Sequence, residues 1–238
     1  MGILFTNNLD DIFQRASNPV AIAAYILTFK MAFFAALINT CFGFIITWVL
    51  TRYTFIGKKY LDAAVDLPFA LPTSVAGLTL TTIYGEAGWI GNFFQHCHIQ
   101  IVFSELGVLL AMIFVSFPFV IRTLQPTLQE MEISLEEAAW SLGATSFQTF
   151  YRVIFPNIVP SVITGFSLSF SRSLGEFGSI VIISSNLPFK DLVSSVLIYQ
   201  SLEQYDYLGA SVIGIVILLI ALVSLLFLNS INQLFLFK

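Results

Sequence analysis

Apolar residues gather in long runs along this chain, and polar residues are largely confined to the stretches between them. A membrane-spanning helix needs about 20 mostly apolar residues. About five runs approach that length: residues 31–50, extendable back to Tyr25; residues 63–84, interrupted by Pro68 and Pro72; residues 106–121, short and carrying Pro118; residues 158–183; and residues 208–228. The pattern therefore predicts an all-α integral membrane protein forming one transmembrane domain over residues 1–238. Ahead of the first run, Leu4, Leu9, Ile12 and Phe13 recur at helical spacing, which predicts a surface segment over residues 1–28. That segment lacks the basic start, short apolar core and small-residue cleavage site of a signal peptide.

Composition agrees. Of 238 residues, 57% are hydrophobic and only 10% charged, where soluble domains carry about 25% charged residues. Such a chain cannot cover its surface with polar groups, so lipid is part of its surroundings. The basic residues orient it. Arg52, Lys58, Lys59, Arg122, Arg152 and Lys238 fall on one side; Arg15, Lys30 and Lys190 fall on the other. The excess marks the cytoplasmic face, or the stromal face in a plastid. It places the amino terminus outside and the connection over residues 123–156 inside. Cys41 sits in an apolar run and Cys97 in a loop on the far side, so no mutual disulfide is expected. Cys97 lies between His96 and His98, but no further Cys or His completes a tetrahedral metal site.

The inward connection reads as a docking element. Ser134 followed by Glu137 is a capping-box spacing that predicts a short helix over residues 135–142. Gly143 supplies the positive φ that ends it. Thr145 or Ser146 can cap a second short helix, with Pro156 marking its end. Ala138, Ala139, Gly143 and Ala144 keep the bend small, so another surface can approach closely.

The segment Glu137-Ala138-Ala139, then Gly143, then Val153-Ile154-Phe155-Pro156 resembles the Glu-Ala-Ala loop of ATP-binding-cassette importer permeases, with Val153 and Phe155 as apolar departures. Further likeness comes from Leu50-Thr51-Arg52-Tyr53, from residues 66–78, from Arg172-Ser173-Leu174-Gly175-Glu176-Phe177-Gly178 and from residues 202–207. These are similar to sulfate and thiosulfate permeases, with molybdate permeases the nearest relatives. Many such permeases carry a further apolar helix ahead of the point where this chain begins. The resemblance implies the fold of a type I importer permease. It implies contact with a cassette ATPase dimer through Glu136, Glu137, Ala138, Ala139, Leu142, Gly143, Ala144 and Pro156. It also implies a second permease subunit, alike or different, and an extracytoplasmic sulfate-binding protein. A plastid inner envelope or a bacterial inner membrane would suit such a chain.

Two stretches could line an anion path. In the fourth run, Gly165, Ser169, Arg172, Glu176 and Ser179 follow steps of three and four and share one helical face. A charge at mid-membrane costs about 3 kcal/mol, so it usually faces protein or water. Either Arg172 and Glu176 neutralise each other and lock helices together, or the stripe lines the path. In the second run, Pro68 and Pro72 free backbone carbonyls, and Thr73, Ser74, Thr79, Thr81 and Thr82 supply hydroxyls. The alternative is a kinked packing helix whose hydroxyls bond its own backbone. The chain has no Gly-x-x-x-x-Gly-Lys-Ser/Thr loop, because Gly57-Lys58-Lys59-Tyr60 lacks the earlier Gly. Nor does it show a nucleophile–base set, a nucleic-acid-binding patch or a cofactor motif. ATP and magnesium would then belong to a partner subunit. A molybdate or tungstate importer permease is the first alternative that the resemblance leaves open; an ATPase-independent channel or secondary transporter, and a non-transporting scaffold, are the other competing readings.

Overall fold

A polar cap starts the first long helix. Asn18 Oδ1 accepts the Val20 amide at 2.9 Å and Pro19 occupies the first turn, where its missing N–H costs nothing. The computed structural model describes residues 9–236. In chain order the elements are α1 (Leu9–Ala16), α2 (Pro19–Arg52), α3 (Lys58–Val65), α4 (Leu67–Ala70), α5 (Thr73–Tyr84), α6 (Trp89–His96), α7 (Glu105–Glu130), α8 (Ile133–Ser141), α9 (Ser146–Thr149), a π-turn over Phe150–Ile154, α10 (Phe155–Leu174), α11 (Ile180–Ile183), α12 (Ser194–Glu203) and α13 (Tyr207–Leu236).

Among the described residues four helices are long and apolar enough to cross a membrane, close to the expected number of about five: Pro19–Arg52, Glu105–Glu130, Ser146–Leu174 and Tyr207–Gln233. The chain is an integral membrane protein. The second apolar run is instead divided among α3, α4 and α5. Pro68 fits the first turn of α4, and Pro72 takes the extended backbone (φ −56°, ψ 133°) that precedes α5. The fourth run also breaks, since α10 stops at Leu174, with Gly175 as its cap, and does not continue to residue 183. Conversely, α2 starts ahead of the expected residue 31 and of the extension back to Tyr25, so residues 19–28 belong to this helix and not to a surface segment. Lys30 is accommodated within it by pairing with Glu105 at 3.0 Å. The expected surface helix at the amino terminus is described from Leu9 only; Leu4 lies outside the described residues.

The core lies where α2, α7 and α10 pack together. Ala32, Ala35 and Ala36 of α2 are fully buried with Val108, Ala111 and Met112 of α7. Small residues let helix backbones come close, which is the main source of attraction where lipid replaces water. Gly43 shows the tolerance: a Cβ there would lie 2.9 Å from Val120 Cγ1. A polar cluster crosses the same interface. Asn39 Nδ2 donates to the Ile113 carbonyl, Ser116 Oγ and Ser169 Oγ at 3.1, 2.8 and 3.3 Å, and Ser173 Oγ donates to Ser116 Oγ at 2.9 Å.

Candidate coupling surface and translocation path

The exposed helix–turn–helix forms from local chemistry. Gly143 has φ +83° and nothing within 4 Å of where a Cβ would stand. It is there for backbone freedom and leaves an open face. Thr145 then makes a complete capping box: its hydroxyl accepts the Gln148 amide at 3.3 Å and Gln148 Oε1 accepts the Thr145 amide at 2.9 Å. The expected box at Ser134 and Glu137 is not formed. Helix α8 begins two residues earlier than its spacing suggested, so Ser134 sits inside the first turn and its hydroxyl donates to Glu132 Oε2 at 2.9 Å.

Pro156 does not end the second short helix. The Phe155 amide reaches back to the Phe150 carbonyl in the wide π-turn. Pro156, with no amide to donate, fits the following turn, and the helix runs on into the membrane. Phe147, Tyr151 and Phe155 stack along one side, with neighbouring rings 6.5 and 6.3 Å apart.

Of the proposed ATPase contacts, Glu137, Ala138, Leu142 and Gly143 are exposed, Ala139 and Ala144 half-buried. Leu142 is 89% exposed, far beyond what an apolar side chain needs if the loop served only its own bundle. Glu136 points the other way. It is buried, with Oε1 2.5 Å from Arg52 Nη2, and Arg52 lies over the Trp48 ring at 5.2 Å. This pair ties the end of α2 to α8, so Glu136 anchors the docking element and is not part of its outer surface.

The candidate path residues separate into two groups. Ser169 belongs to the buried α2–α7–α10 cluster, and Gly165 packs against the Val120 backbone. The stripe was expected to continue on one helical face to Ser179, but the helix ends first. Past the break, Glu176 is 2% exposed; its Oε2 lies 2.7 Å from Arg172 Nη1, and its Oε1 accepts the Ser179 amide at 3.0 Å and hydroxyl at 2.8 Å. The chain folds back there against α5. A Cβ on Gly178 would meet Thr73 Oγ1 at 2.2 Å, and one on Gly77 would meet the Ser179 carbonyl at 2.6 Å. Only glycine permits these approaches. They bring the Pro72-Thr73-Ser74 break beside the Glu176–Ser179 turn, which sequence spacing alone did not juxtapose.

The remaining hydroxyls of α5 have ordinary roles. Thr79, Thr81 and Thr82 each donate to their own helix, to the carbonyls of Val75, Gly77 and Leu78, at 2.9 Å. Cys41 and Cys97 are free, and among the described residues no three His, Cys, Asp or Glu side chains group as metal ligands. Sequence reasoning passed over Asn39, although it is a lone amide in an apolar run. It also passed over Asp191, a fully buried carboxylate that accepts the Ser185 hydroxyl at 2.7 Å and the Leu187 amide at 3.2 Å, and so shapes the turn after α11.

Long apolar helices, a proline-broken segment packed on a re-entrant turn, and an exposed helix–turn–helix at one end are the architecture of a membrane permease. The chain belongs to the binding-protein-dependent transport system inner membrane component family, whose family model matches residues 39–236. It is 71% identical over 228 residues to a probable sulfate transport system permease protein of Chlorella vulgaris, covering 96% of this chain and 86% of that relative. It is 56% identical over 225 residues to the sulfate transport system permease protein of Synechocystis, covering 94% and 79%. Among solved structures it superposes on a bacterial importer of the acidic polysaccharide alginate with a TM-score of 0.79 at 19% identity, covering 95% of this chain and 84% of that one. The inward-facing MetNI methionine transporter gives 0.63 at 16% identity, covering 90% and 93%. At these identities the structural matches establish the fold.

Proposed function

We propose that this chain is the membrane-spanning permease subunit of an ATP-driven sulfate importer. The observation that carries the proposal is the exposed bend at Leu142 and Gly143, pinned to the bundle by Arg52 and Glu136 yet offering small and apolar groups outward. A cleft on an ATPase subunit is a fitting partner. ATP and its magnesium are then handled by that partner dimer, and this chain holds no cofactor of its own. A second permease subunit, alike or different, completes the pathway, and an extracytoplasmic sulfate-binding protein delivers the anion. The names of the relatives support sulfate, and their plastid and cyanobacterial sources support a plastid inner envelope or bacterial inner membrane.

The path site has the right character for a transient anion. Arg172 uses one of its N–H groups on Glu176 and is 31% exposed, so donors remain for an oxyanion. Thr73 and Ser74 stand at the neighbouring break as neutral donors. Glu176 moderates the positive charge, which lets a dianion leave again.

The test is ATP-dependent uptake of labelled sulfate into vesicles containing the chain and its cognate partners. ATP-dependent uptake of labelled molybdate without ATP-dependent uptake of labelled sulfate would reassign the substrate. Gly143→Val forces a β-branched residue into positive φ, at a cost of about 1–3 kcal/mol, and fills the open face. It is expected to insert normally and lose ATPase association or transport-coupled hydrolysis; intact coupling would remove the docking role.

A further inference from the structure

The guanidinium of Arg122, on α7, is saturated. Arginine has five N–H donors, and each has an acceptor. Nε donates to Asp66 Oδ1 at 2.8 Å; Nη1 to Asp62 Oδ1 at 2.8 Å and Gln125 Oε1 at 2.5 Å; Nη2 to Asp66 Oδ2 at 2.7 Å and the Asp62 carbonyl at 2.7 Å. Asp62 lies on α3 and Asp66 between α3 and α4, so one side chain grips the leg that leads into the Pro68–Pro72 break. One helical turn away, Phe119 of α7 packs edge-on against Phe69 of α4, with centroids 5.2 Å apart. Val65, packed with Leu50 and Ile121, is the leg's other anchor. Helix α4 is a single turn, and Leu67, Phe69 and Leu71 are all exposed.

About two turns beyond Arg122, the C-terminal end of α7 reaches the docking element. Only Met131 and Glu132 separate it from α8, and Arg52, a few residues before α3, is pinned to Glu136 of α8. We propose that Arg122 is a positioning residue that carries movement of the α8–α9 element to the proline-broken segment, and so to Thr73 and Ser74. A bidentate grip on Asp66 with a further grip on Asp62 fixes direction as well as distance, which apolar contact between Phe69 and Phe119 does not. This inference rests on the permease reading above.

Two readouts test it. In the assembled complex, Arg122→Gln is expected to lower sulfate uptake per ATP hydrolysed about tenfold or more, as the loss of several charge-assisted hydrogen bonds implies. Arg122→Lys, with three donors and no planar fork, should fall between Arg122→Gln and the unmodified chain. The second readout needs no ATPase. Val65 at the end of α3 is 6% exposed, and Val65→Cys, in a background lacking Cys41 and Cys97, reports dislodging of the leg through its rate of maleimide labelling. Labelling should be slow with Arg122 present and several-fold faster in Arg122→Gln. Should Arg122→Gln abolish assembly, Asp62→Asn, which keeps the Asp66 grip, is expected to show both effects in weaker form. A protected Val65→Cys, an unchanged uptake-to-hydrolysis ratio, or a parallel fall of uptake and hydrolysis would each overturn the proposal. Uptake by the unmodified complex that ignores ATP would instead sink the permease reading, leaving the labelling result to judge the grip.

Discussion

Two arginines with almost equal exposure, Arg122 at 30% and Arg172 at 31%, stand in opposite chemical conditions. Arg122 spends every donor on two carboxylates, an amide side chain and a backbone carbonyl. Arg172 makes one ion pair, and its remaining donors have no partner among the described residues. Its carboxylate, Glu176, is in turn almost wholly buried and held by Ser179. Exposure does not separate a fastening arginine from an available one; donor saturation does. A guanidinium with all five donors engaged has nothing to offer a passing anion and would pay heavily to let go. One with a single contact is held in place and still able to bind.

The largest effect is expected where this contrast would break. Arg172→Met leaves the buried Glu176 carboxylate without its cation, a change that costs about 3 kcal/mol or more, so little assembled complex should be recovered. The double variant Arg172→Met, Glu176→Gln removes the orphaned charge and should assemble, while sulfate uptake per complex stays low. Full uptake by the double variant would make the Arg172 pair as structural as the Arg122 network and shift anion handling to Thr73 and Ser74.

A middle-sized effect sharpens the contrast. Lysine replaces a single point contact well and a planar fork poorly. Arg122→Lys should therefore lower the thermal stability of the detergent-solubilised chain by more than Arg172→Lys, by about 1–2 kcal/mol for each charge-assisted bond not remade. Equal losses at both positions, read from melting temperature, would erase the distinction. The smallest effect concerns hydroxyls that only bond their own helix. Thr79→Val should change stability by no more than about 0.5 kcal/mol and leave uptake untouched. A clear fall in uptake would return Thr79 to the path.

The buried serines carry a similar lesson about reading function from spacing. Ser169 shares a helical face with Arg172, and periodicity alone makes it a candidate for the anion path. In the folded chain it meets Asn39 and Ser116 across the core, and the group proposed for the path is instead Arg172, Glu176 and Ser179 beside Thr73 and Ser74. A helical face says which residues point together; it does not say what they point at.

Much was settled by the sequence alone because it depends on local chemistry. Long apolar runs demand lipid, Pro68 and Pro72 demand a break, Gly143 demands a positive φ, and Thr145 or Ser146 offers a local cap for a short helix, of which the fold uses Thr145. Helix ends were harder to read. Asn18 and Pro19 start α2 early, Ile133 starts α8 ahead of Ser134, and the π-turn carries the chain through Pro156, since capping choices of similar energy are decided by the neighbours that pack on them. What only the tertiary structure decided are the meetings between distant segments. Arg122 finds Asp62 and Asp66, Arg52 finds Glu136, and Gly178 meets Thr73 because the α2–α7–α10 core brings their backbones within reach. Charges and glycines announce that they need partners, but which partner each receives depends on helix register and crossing, which no local pattern specifies.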